Sequence, residues 1–310
     1  MARTWLADFD WQFGAVLVKK TGARIVLSRA FLGEVGAWLT FYCAIKLRQA
    51  GTLGRRKITL AFSPDPIRPW YLAWAAAVEA GLKMIDDPAQ ADVVFHFDDS
   101  TRSESSQPKV REGALLLNFR CDDISKSRVA QVFEEVFGYA LSLDPRTHHG
   151  PAVEKSEVNG AHDGRIVFCP VEPLPGRVYQ RLVDNRCGGE LVEDLRTPTV
   201  GGRPVCVFLK RRAAASRFAN ANLDVSLTTP EAVFSSAELA NIGRFAEKLG
   251  LDWGGLDVLR DAQDGRIYIV DANKTDMGPP TALPLRKKLN ATRLLARALD
   301  SYVQRTVHNA

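Results

Sequence analysis

The sequence contains few of the residues that mark a disulfide-stabilised or zinc-binding chain. Its five cysteines are an odd number, are widely spaced and form no Cys-x-x-Cys pair, and only five histidines accompany them. We therefore expect free thiols in a reducing compartment rather than a disulfide framework or a structural zinc site.

Long hydrophobic runs are also missing. The most apolar stretch, residues 30–47, is interrupted by Glu34 and Lys46, and it is shorter than the roughly 20 apolar residues that a membrane-spanning helix needs. The N-terminal residues 1–11 include Asp8 and Asp10 and lack the apolar segment of a secretory signal. These absences predict a cytoplasmic protein with no membrane partner.

Neither sign of charge is in large excess. Lys and Arg number 41 against 36 Asp and Glu, and the net charge of +5 is spread along the chain rather than gathered in runs. Because the basic residues do not alternate with aromatic residues along one element, a nucleic-acid partner is not expected. Apolar residues at 46% and charged residues at 25% are instead typical of a well-packed globular protein, and 310 residues leave room for two or three lobes.

The hydrophobic pattern predicts a small α/β unit followed by a mixed α+β body. In the first unit, strands at 58–62 and 91–97 flank an Ala-rich helix at 70–81, and a further strand follows at 114–119. A strand-loop-strand hairpin is predicted around residues 145–168. The remaining predicted helices span 123–139, 237–250 and 285–303, and the remaining strands 177–183, 191–200, 205–210, 256–260 and 267–270. Because these later strands mostly follow one another without helices between them, a continuous doubly wound sheet is not expected.

Three oxygen-bearing side chains near the C-terminal end form a candidate metal site. Asp257 and Asp271 lie on adjacent predicted strands, and a tight turn at Asp264 and Gly265 can bring both carboxylates to one face. Residues two apart on a strand point the same way, so Asn273 lies beside Asp271. A magnesium ion that bridges phosphates takes one or two carboxylates and leaves its other positions to phosphate and water. A turn-forming pair that only ends the strand is the alternative interpretation.

These segments resemble the metal-binding end of the ATP-grasp superfamily. Residues 250–257 read Gly-Leu-Asp-Trp-Gly-Gly-Leu-Asp and residues 269–273 read Ile-Val-Asp-Ala-Asn, where the family has a carboxylate strand and then a Glu-x-Asn strand. Asp271 stands in the place of the family's glutamate and is one methylene shorter. The resemblance implies an ATP-grasp fold of the mixed α/β (α+β) class. Its implied parts are a Rossmann-like N-terminal lobe at 1–120, a small subdomain with a flap loop at 121–184, and a C-terminal subdomain with the metal site at 185–310.

The resemblance also assigns residues to the nucleotide phosphates. Lys126, at the start of a helix, and Lys155, on a strand before a glycine-rich loop, match the family's two phosphate-binding lysines. The loop at 159–164, which contains Gly160 and Gly164, is the implied flap whose backbone N–H groups close over the phosphates.

The strand that carries Gln180, Arg181, Leu182 and Val183 resembles the family's adenine hinge, where backbone groups pair with the adenine edge. The implied nucleotide-binding set is completed by Asp194.

Three arginines are implied to steady the acid or its acyl phosphate. Asp-Leu-Arg at 194–196, which ends at Arg196, is similar to the Asp-Ile-Arg of the glutathione synthetase and ribosomal-protein glutamate ligase branch. Arg212 ends a Lys-Arg-Arg triplet, and Arg217 begins an Arg-Phe-Ala-Asn segment, and both are similar to segments of the same branch. The glycines that follow in that branch are absent here, so the substrate-side loop differs.

The resemblance implies an ATP- and Mg²⁺-dependent ligase that activates a carboxylate as an acyl phosphate and joins it to an amine or a similar nucleophile, releasing ADP. The implied cofactors are ATP and Mg²⁺, with two ions expected and Mn²⁺ as a substitute, and the implied partners are a small-molecule acid and amine. A small-molecule kinase and a non-catalytic ATP-binding scaffold or sensor remain alternatives. The oligomeric state, a homodimer included, stays open.

Overall fold

The computed structural model describes residues 5–19, 23–49, 58–103, 107–161, 163–219 and 222–308. His162 of the flap loop and Asn220 of the Arg-Phe-Ala-Asn segment lie outside the described residues. Within these ranges the α-helices are α1 (Arg29–Gln49), α2 (Leu72–Glu79), α3 (Lys126–Phe137), α4 (Ser236–Leu249) and α5 (Leu285–His308).

The β-strands of the described ranges fall into four sheets. In chain order they are β1 (Phe9–Gln12), β2 (Ala15–Val18), β3 (Ala23–Val26), β4 (Thr59–Pro64), β5 (Lys83–Met84), β6 (Val93–Phe97), β7 (Leu115–Leu117), β8 (Gly150–Ser156), β9 (Arg165–Cys169), β10 (Arg177–Arg181), β11 (Arg186–Gly188), β12 (Leu191–Val200), β13 (Arg203–Pro204), β14 (Val207–Ala213), β15 (Asp224–Thr228), β16 (Trp253–Arg260) and β17 (Ile267–Asn273).

The first α/β unit is a parallel sheet with the strand order β5-β4-β6-β7, as expected of a Rossmann-like lobe. Residues 72–78 of helix α2 are all apolar and buried, because the helix packs on two sides. Leu72 and Ala76 pack in the core of the sheet, while Trp74 and Val78 pack with residues of α1. The C-terminal helix α5 joins the core of this sheet, so the end of the chain packs on its N-terminal lobe.

The central segment forms an antiparallel sheet with the order β10-β8-β9. Helix α3 begins after Ser125, whose hydroxyl accepts from the Arg128 amide, and it ends at Gly138 in the left-handed conformation. The helix packs against α4 and β17 rather than within the small sheet. The subdomain boundaries at 120/121 and 184/185 stay a prediction.

The largest sheet has the order β15-β14-β12-β16-β17, with β11 and β13 also paired to β12. Adjacent strands of this sheet are antiparallel. Strand β15 is a correction, because the sequence pattern predicted only a polar connection there. Val225 and Leu227 are its only large apolar residues, and they pack with Phe208, which is too weak a pattern to read in isolation.

The sequence predicted no structure for residues 1–54. The described part of this segment contains the antiparallel sheet β1-β2-β3 and helix α1. Asp8 joins the segment to the lobe through a two-point contact with the Arg68 guanidinium, at 2.5 and 2.8 Å. Of the helices in the described ranges, none has both the length and the hydropathy that a membrane crossing requires.

Candidate active site

One cavity of about 520 Å³ lies between the small antiparallel sheet and the largest sheet. All of the site residues predicted from the sequence lie in its lining. They are Lys126, Lys155, Gly160, Gly164, Gln180, Arg181, Leu182, Val183, Asp194, Arg196, Arg212, Arg217, Asp257, Asp271 and Asn273.

The metal end of the cavity is built by the hairpin of β16 and β17. Asp257 pairs directly with Asp271 across the two strands, and Gly255 pairs with Asn273. After Asp257 the register shifts, so that Val258 faces Ile269 and Val270 is skipped. Such a bulge re-aims the neighbouring side chains. The carbonyl of the skipped Val270 accepts from Lys155 Nζ at 3.0 Å, which places that ammonium beside the hairpin.

Asp257 presents an oxygen suited to a cation. Its Oδ2 accepts from Arg196 Nη1 at 2.9 Å, whereas its Oδ1 is buried and has no hydrogen-bond partner among the described residues. Burial favours the neutral acid, but Arg196, Lys210 and Arg212 together outweigh this effect, and the pKa of Asp257 lies below its ordinary value. An ionised, buried oxygen without a partner is expected to bind an ion or a ligand atom.

The other two candidate ligands complete this end of the cavity. Asn273 Oδ1 accepts from the Thr275 amide at 2.9 Å. The Thr275 hydroxyl is 3.3 Å from the same oxygen but 2.8 Å from Asp99 Oδ1, so its proton goes to Asp99 and Asn273 keeps a lone pair for another partner. Burial raises the pKa of Asp271, and Lys126 and Lys155 oppose that shift. The candidate site consists of two carboxylates and an amide, and no group of three or more His, Cys, Asp or Glu residues in the described ranges is arranged to hold a metal.

Two lysines from different elements lie near these carboxylates. Lys126 is the first residue of α3 and is buried, and its Nζ donates to the Val158 carbonyl at 2.8 Å. Lys155 is on β8, and burial lowers its pKa to about 8 although Asp271 opposes the shift. Two ammonium groups and two carboxylates within one cavity match the charges of a polyphosphate with a divalent cation.

The predicted adenine hinge follows the end of β10. Gln180 is 2% exposed, and its Nε2 is buried without a hydrogen-bond partner in the part of the chain that the structure describes. Two backbone groups of the hinge are already used, because the Arg181 amide donates to Leu141 and the Val183 carbonyl accepts from Arg217 at 2.9 Å.

The three arginines differ in how they are engaged. Arg196 contacts Asp257 with one terminal nitrogen and Asp276 with the other, at 2.9 and 2.7 Å. Arg217 donates to the hinge carbonyl of Val183 and to Asn185 Oδ1, so its contacts brace the hinge. The predicted role of Arg217 in steadying the acid stays a prediction.

Arg212 is buried, and its Nη2 contacts Asp194 Oδ2 at 2.7 Å, while its Nε has no partner among the described residues. The other oxygen of Asp194 accepts from Asn185 Nδ2 at 3.0 Å. Burial raises the pKa of Asp194 to about 6, although the Arg212 charge opposes the shift. Asn185 and Asp276 could not be identified from the sequence, since neither belongs to a motif with recognisable spacing.

The flap loop contacts the N-terminal lobe on one side and the lining of the cavity on the other. The Asn159 amide donates to Thr101 Oγ1 of the N-terminal lobe at 2.8 Å. On the other side, a Cβ on Gly164 would lie 2.9 Å from the Phe218 ring, so glycine allows the close approach. Gly160 has a φ of +72°, a conformation that glycine adopts without strain.

Neither the protein-family models nor the curated proteins compared with this chain give a match. Among solved structures, the chain is similar to the ATP-grasp ligase PsnB complexed with a phosphomimetic variant of a minimal precursor, Mg and ADP. The TM-score is 0.52 at 13% identity, over 80% of this chain and 99% of that one. PsnB complexed with minimal precursor gives a TM-score of 0.51 at 12% identity, over 80% and 99% of the two chains. The PsnB complex with minimal precursor, Mg and ADP gives a TM-score of 0.51 at 14% identity, over 79% of this chain and 96% of that one. The chain therefore has the ATP-grasp fold, which confirms the expected fold class, while the narrower likeness to the glutathione synthetase branch stays a prediction.

Proposed function

We propose that this chain uses its ATP-grasp fold to bind MgATP and to activate a substrate carboxylate as an acyl phosphate, which an amine or a similar nucleophile then captures. The observation that carries the proposal is the buried, unpartnered Oδ1 of Asp257, opposite Asp271 on the next strand, among the described residues. Most buried polar atoms have a hydrogen-bond partner, so the unpartnered oxygen favours a bound ion or ligand atom over a carboxylate pair that only ends a hairpin.

Asp257, Asp271 and Asn273 would hold Mg²⁺, which when bound neutralises charge on the phosphates. Lys126 and Lys155 bind phosphate oxygens from the other side, and the flap closes over them and excludes water. A carboxylate oxygen of the substrate attacks the γ-phosphorus, and the bond from that phosphorus to the ADP oxygen breaks. The amine nitrogen then attacks the acyl carbon, the bond from that carbon to the phosphate oxygen breaks, and inorganic phosphate leaves with the proton that the amine loses. Such chemistry rests on positioning and charge neutralisation.

The remaining site residues are assigned to the base of the nucleotide and to the substrate acid. The side-chain Nε2 of Gln180, buried without a partner in the described ranges, donates to an acceptor nitrogen of the base. Arg212 has an unpartnered buried Nε among the described residues, which makes it the arginine that best fits the acid or its acyl phosphate. Arg217 supports the hinge through Val183.

The acid and the amine are assigned by chemical class and not as individual compounds. One PsnB structure contains a variant of a minimal precursor. The substrates to be screened therefore include carboxylates of precursor molecules as well as free small-molecule acids. A cytoplasmic location and a homodimer stay predictions.

Thermal melting tests the nucleotide site first. The wild-type protein is melted with ATP alone, Mg²⁺ alone and both together, beside the double variant Asp271→Ala, Asn273→Ala. A ligand at 100 times its dissociation constant adds about 2.7 kcal/mol of stability, which a melt resolves. We expect an ATP shift that depends on Mg²⁺ in the wild type and is lost in the variant. The absence of any shift in the wild type would contradict the proposal.

Product analysis then tests the reaction. Acids and amines are screened for ADP release, and a ligase yields ADP, free phosphate and a new amide. We expect Lys155→Ala to abolish turnover while the protein melts as a folded chain. Lys248→Ala, at an exposed ion pair with Glu135, is the matched control and should leave turnover unchanged. A stable phosphorylated product, or ATP binding without any ADP, would overturn the ligase assignment.

A further inference from the structure

Asp276 lies beside the metal end of the cavity, three residues beyond the last candidate ligand. It is 6% exposed, and its Oδ1 accepts from Arg196 Nη2 at 2.7 Å. Arg196 is 8% exposed and contacts Asp257 Oδ2 through its other terminal nitrogen. The guanidinium therefore joins two carboxylates, of which only Asp257 is a candidate metal ligand.

The backbone around Asp276 is held by the N-terminal lobe. The Asp276 carbonyl accepts from the amide of Leu72, the first residue of α2, at 2.9 Å. One residue earlier, Thr275 donates its hydroxyl to Asp99 at 2.8 Å. Contacts to the parallel-sheet lobe thus fix where the Asp276 carboxylate lies.

The sheet also makes room for this ion pair. A Cβ on Gly255 would lie 2.3 Å from Asp276 Oδ2 and 2.7 Å from Arg196 Nε. Because Gly255 is on β16, two residues before Asp257, the strand that carries the metal ligand has no side chain where Arg196 and Asp276 meet. The site is therefore built around the pair.

We infer that Asp276 is a positioning residue for the metal site, an inference that rests on the proposed MgATP binding. Its charge holds one side of the Arg196 guanidinium, so that Arg196 binds Asp257 through Oδ2 alone and leaves Oδ1 for Mg²⁺. It also offsets the Arg196 charge next to the site of a divalent cation. Without that charge, Arg196 competes for both oxygens of Asp257 and repels the metal.

A magnesium titration at fixed, saturating ATP tests this inference through the melting temperature. We expect Asp276→Asn and Asp276→Ser to need at least ten times more Mg²⁺ for half of the ATP-dependent shift. Asp276→Glu keeps the charge and should recover part of the loss. Glu79→Gln removes a comparable carboxylate, which pairs with Arg48 outside the cavity, and should leave the magnesium midpoint unchanged.

The outcomes separate this inference from the proposed function. No magnesium-dependent shift in the wild type overturns both. A normal wild-type shift with an unchanged midpoint in either charge-removing variant overturns the role of Asp276 alone, and so does an equal midpoint change in Glu79→Gln. If neither charge-removing variant folds, Asp276 is needed for folding itself and the positioning role is wrong.

Discussion

Replacing Gly255 with alanine changes the protein by one methyl group at a place where the structure leaves no space. The new Cβ would lie 2.3 Å from Asp276 Oδ2 and 2.7 Å from Arg196 Nε, whereas ordinary contact begins at 3.4 Å. Neither atom can move away freely, because both belong to a buried ion pair whose Arg196 guanidinium contacts Asp257 as well as Asp276. The variant must either separate the pair or move strand β16 away from it.

The magnitude follows from these two routes. Overpacking of a core costs about 1–3 kcal/mol, and breaking a buried ion pair costs about 3–5 kcal/mol. We therefore expect Gly255→Ala to lower the free energy of unfolding by about 3 kcal/mol. Urea denaturation followed by tryptophan fluorescence measures this, since the buried Trp253 is on the same strand.

Gly36→Ala is the matched control. Gly36 is in helix α1, and a Cβ there would meet no described atom within 4 Å. Alanine in a helix interior is favoured over glycine by about 0.5–1 kcal/mol, so this variant should be slightly more stable. A Gly255→Ala protein within 1 kcal/mol of wild type, in the range of ordinary surface changes, would refute the steric reasoning.

Three further predictions follow from other parts of the structure. Burial lowers the pKa of Lys155 to about 8, so the ATP affinity measured by calorimetry should fall as the pH rises through about 8. Lys155→Arg should make the affinity less dependent on pH. A wild-type affinity that stays constant up to pH 9 would contradict this. Burial would raise the pKa of Asp98, but hydrogen bonds from Ser100 and Ser103 and the Lys274 charge lower it to about 2. The ionised Asp98 therefore stabilises the folded protein above about pH 4, and this contribution is lost as the pH falls towards 2. Urea midpoints from pH 5 to pH 2 should show that loss, and Asp98→Asn should show less of it than wild type. Ser125→Ala removes the N-cap of α3 and should cost about 1 kcal/mol by urea denaturation, whereas a cost near zero would show that the cap is not needed.

The sequence was most informative where structure depends on near neighbours. The pattern around Asp264 and Gly265 predicted a hairpin, and the structure pairs Asp257 with Asp271 across it. Residues two apart on a strand share a face whatever the rest of the fold does, so Asn273 could be placed beside Asp271 from spacing alone. The helix at 126–137 was predicted for the same reason, since a cap and helical spacing are local signals.

Strand β15 was missed because its signal is not local. β15 has only two large apolar residues, and its place at the edge of the sheet depends on its pairing with β14. Helix α5 was predicted from its amphipathic pattern, but its packing on the N-terminal lobe joins opposite ends of the chain, which no pattern within the helix can specify.

The sequence by itself determined which groups the candidate site contains, because the carboxylates, lysines and arginines are read in order along recognisable segments. Only the tertiary structure decided how those groups are engaged. Arg196, Asp257 and Asp276 come from separate elements, and their contacts depend on how β12 pairs with β16 and on how α2 holds the loop after β17. Local spacing specifies the face on which a side chain lies, whereas its partner across the fold is set by long-range packing.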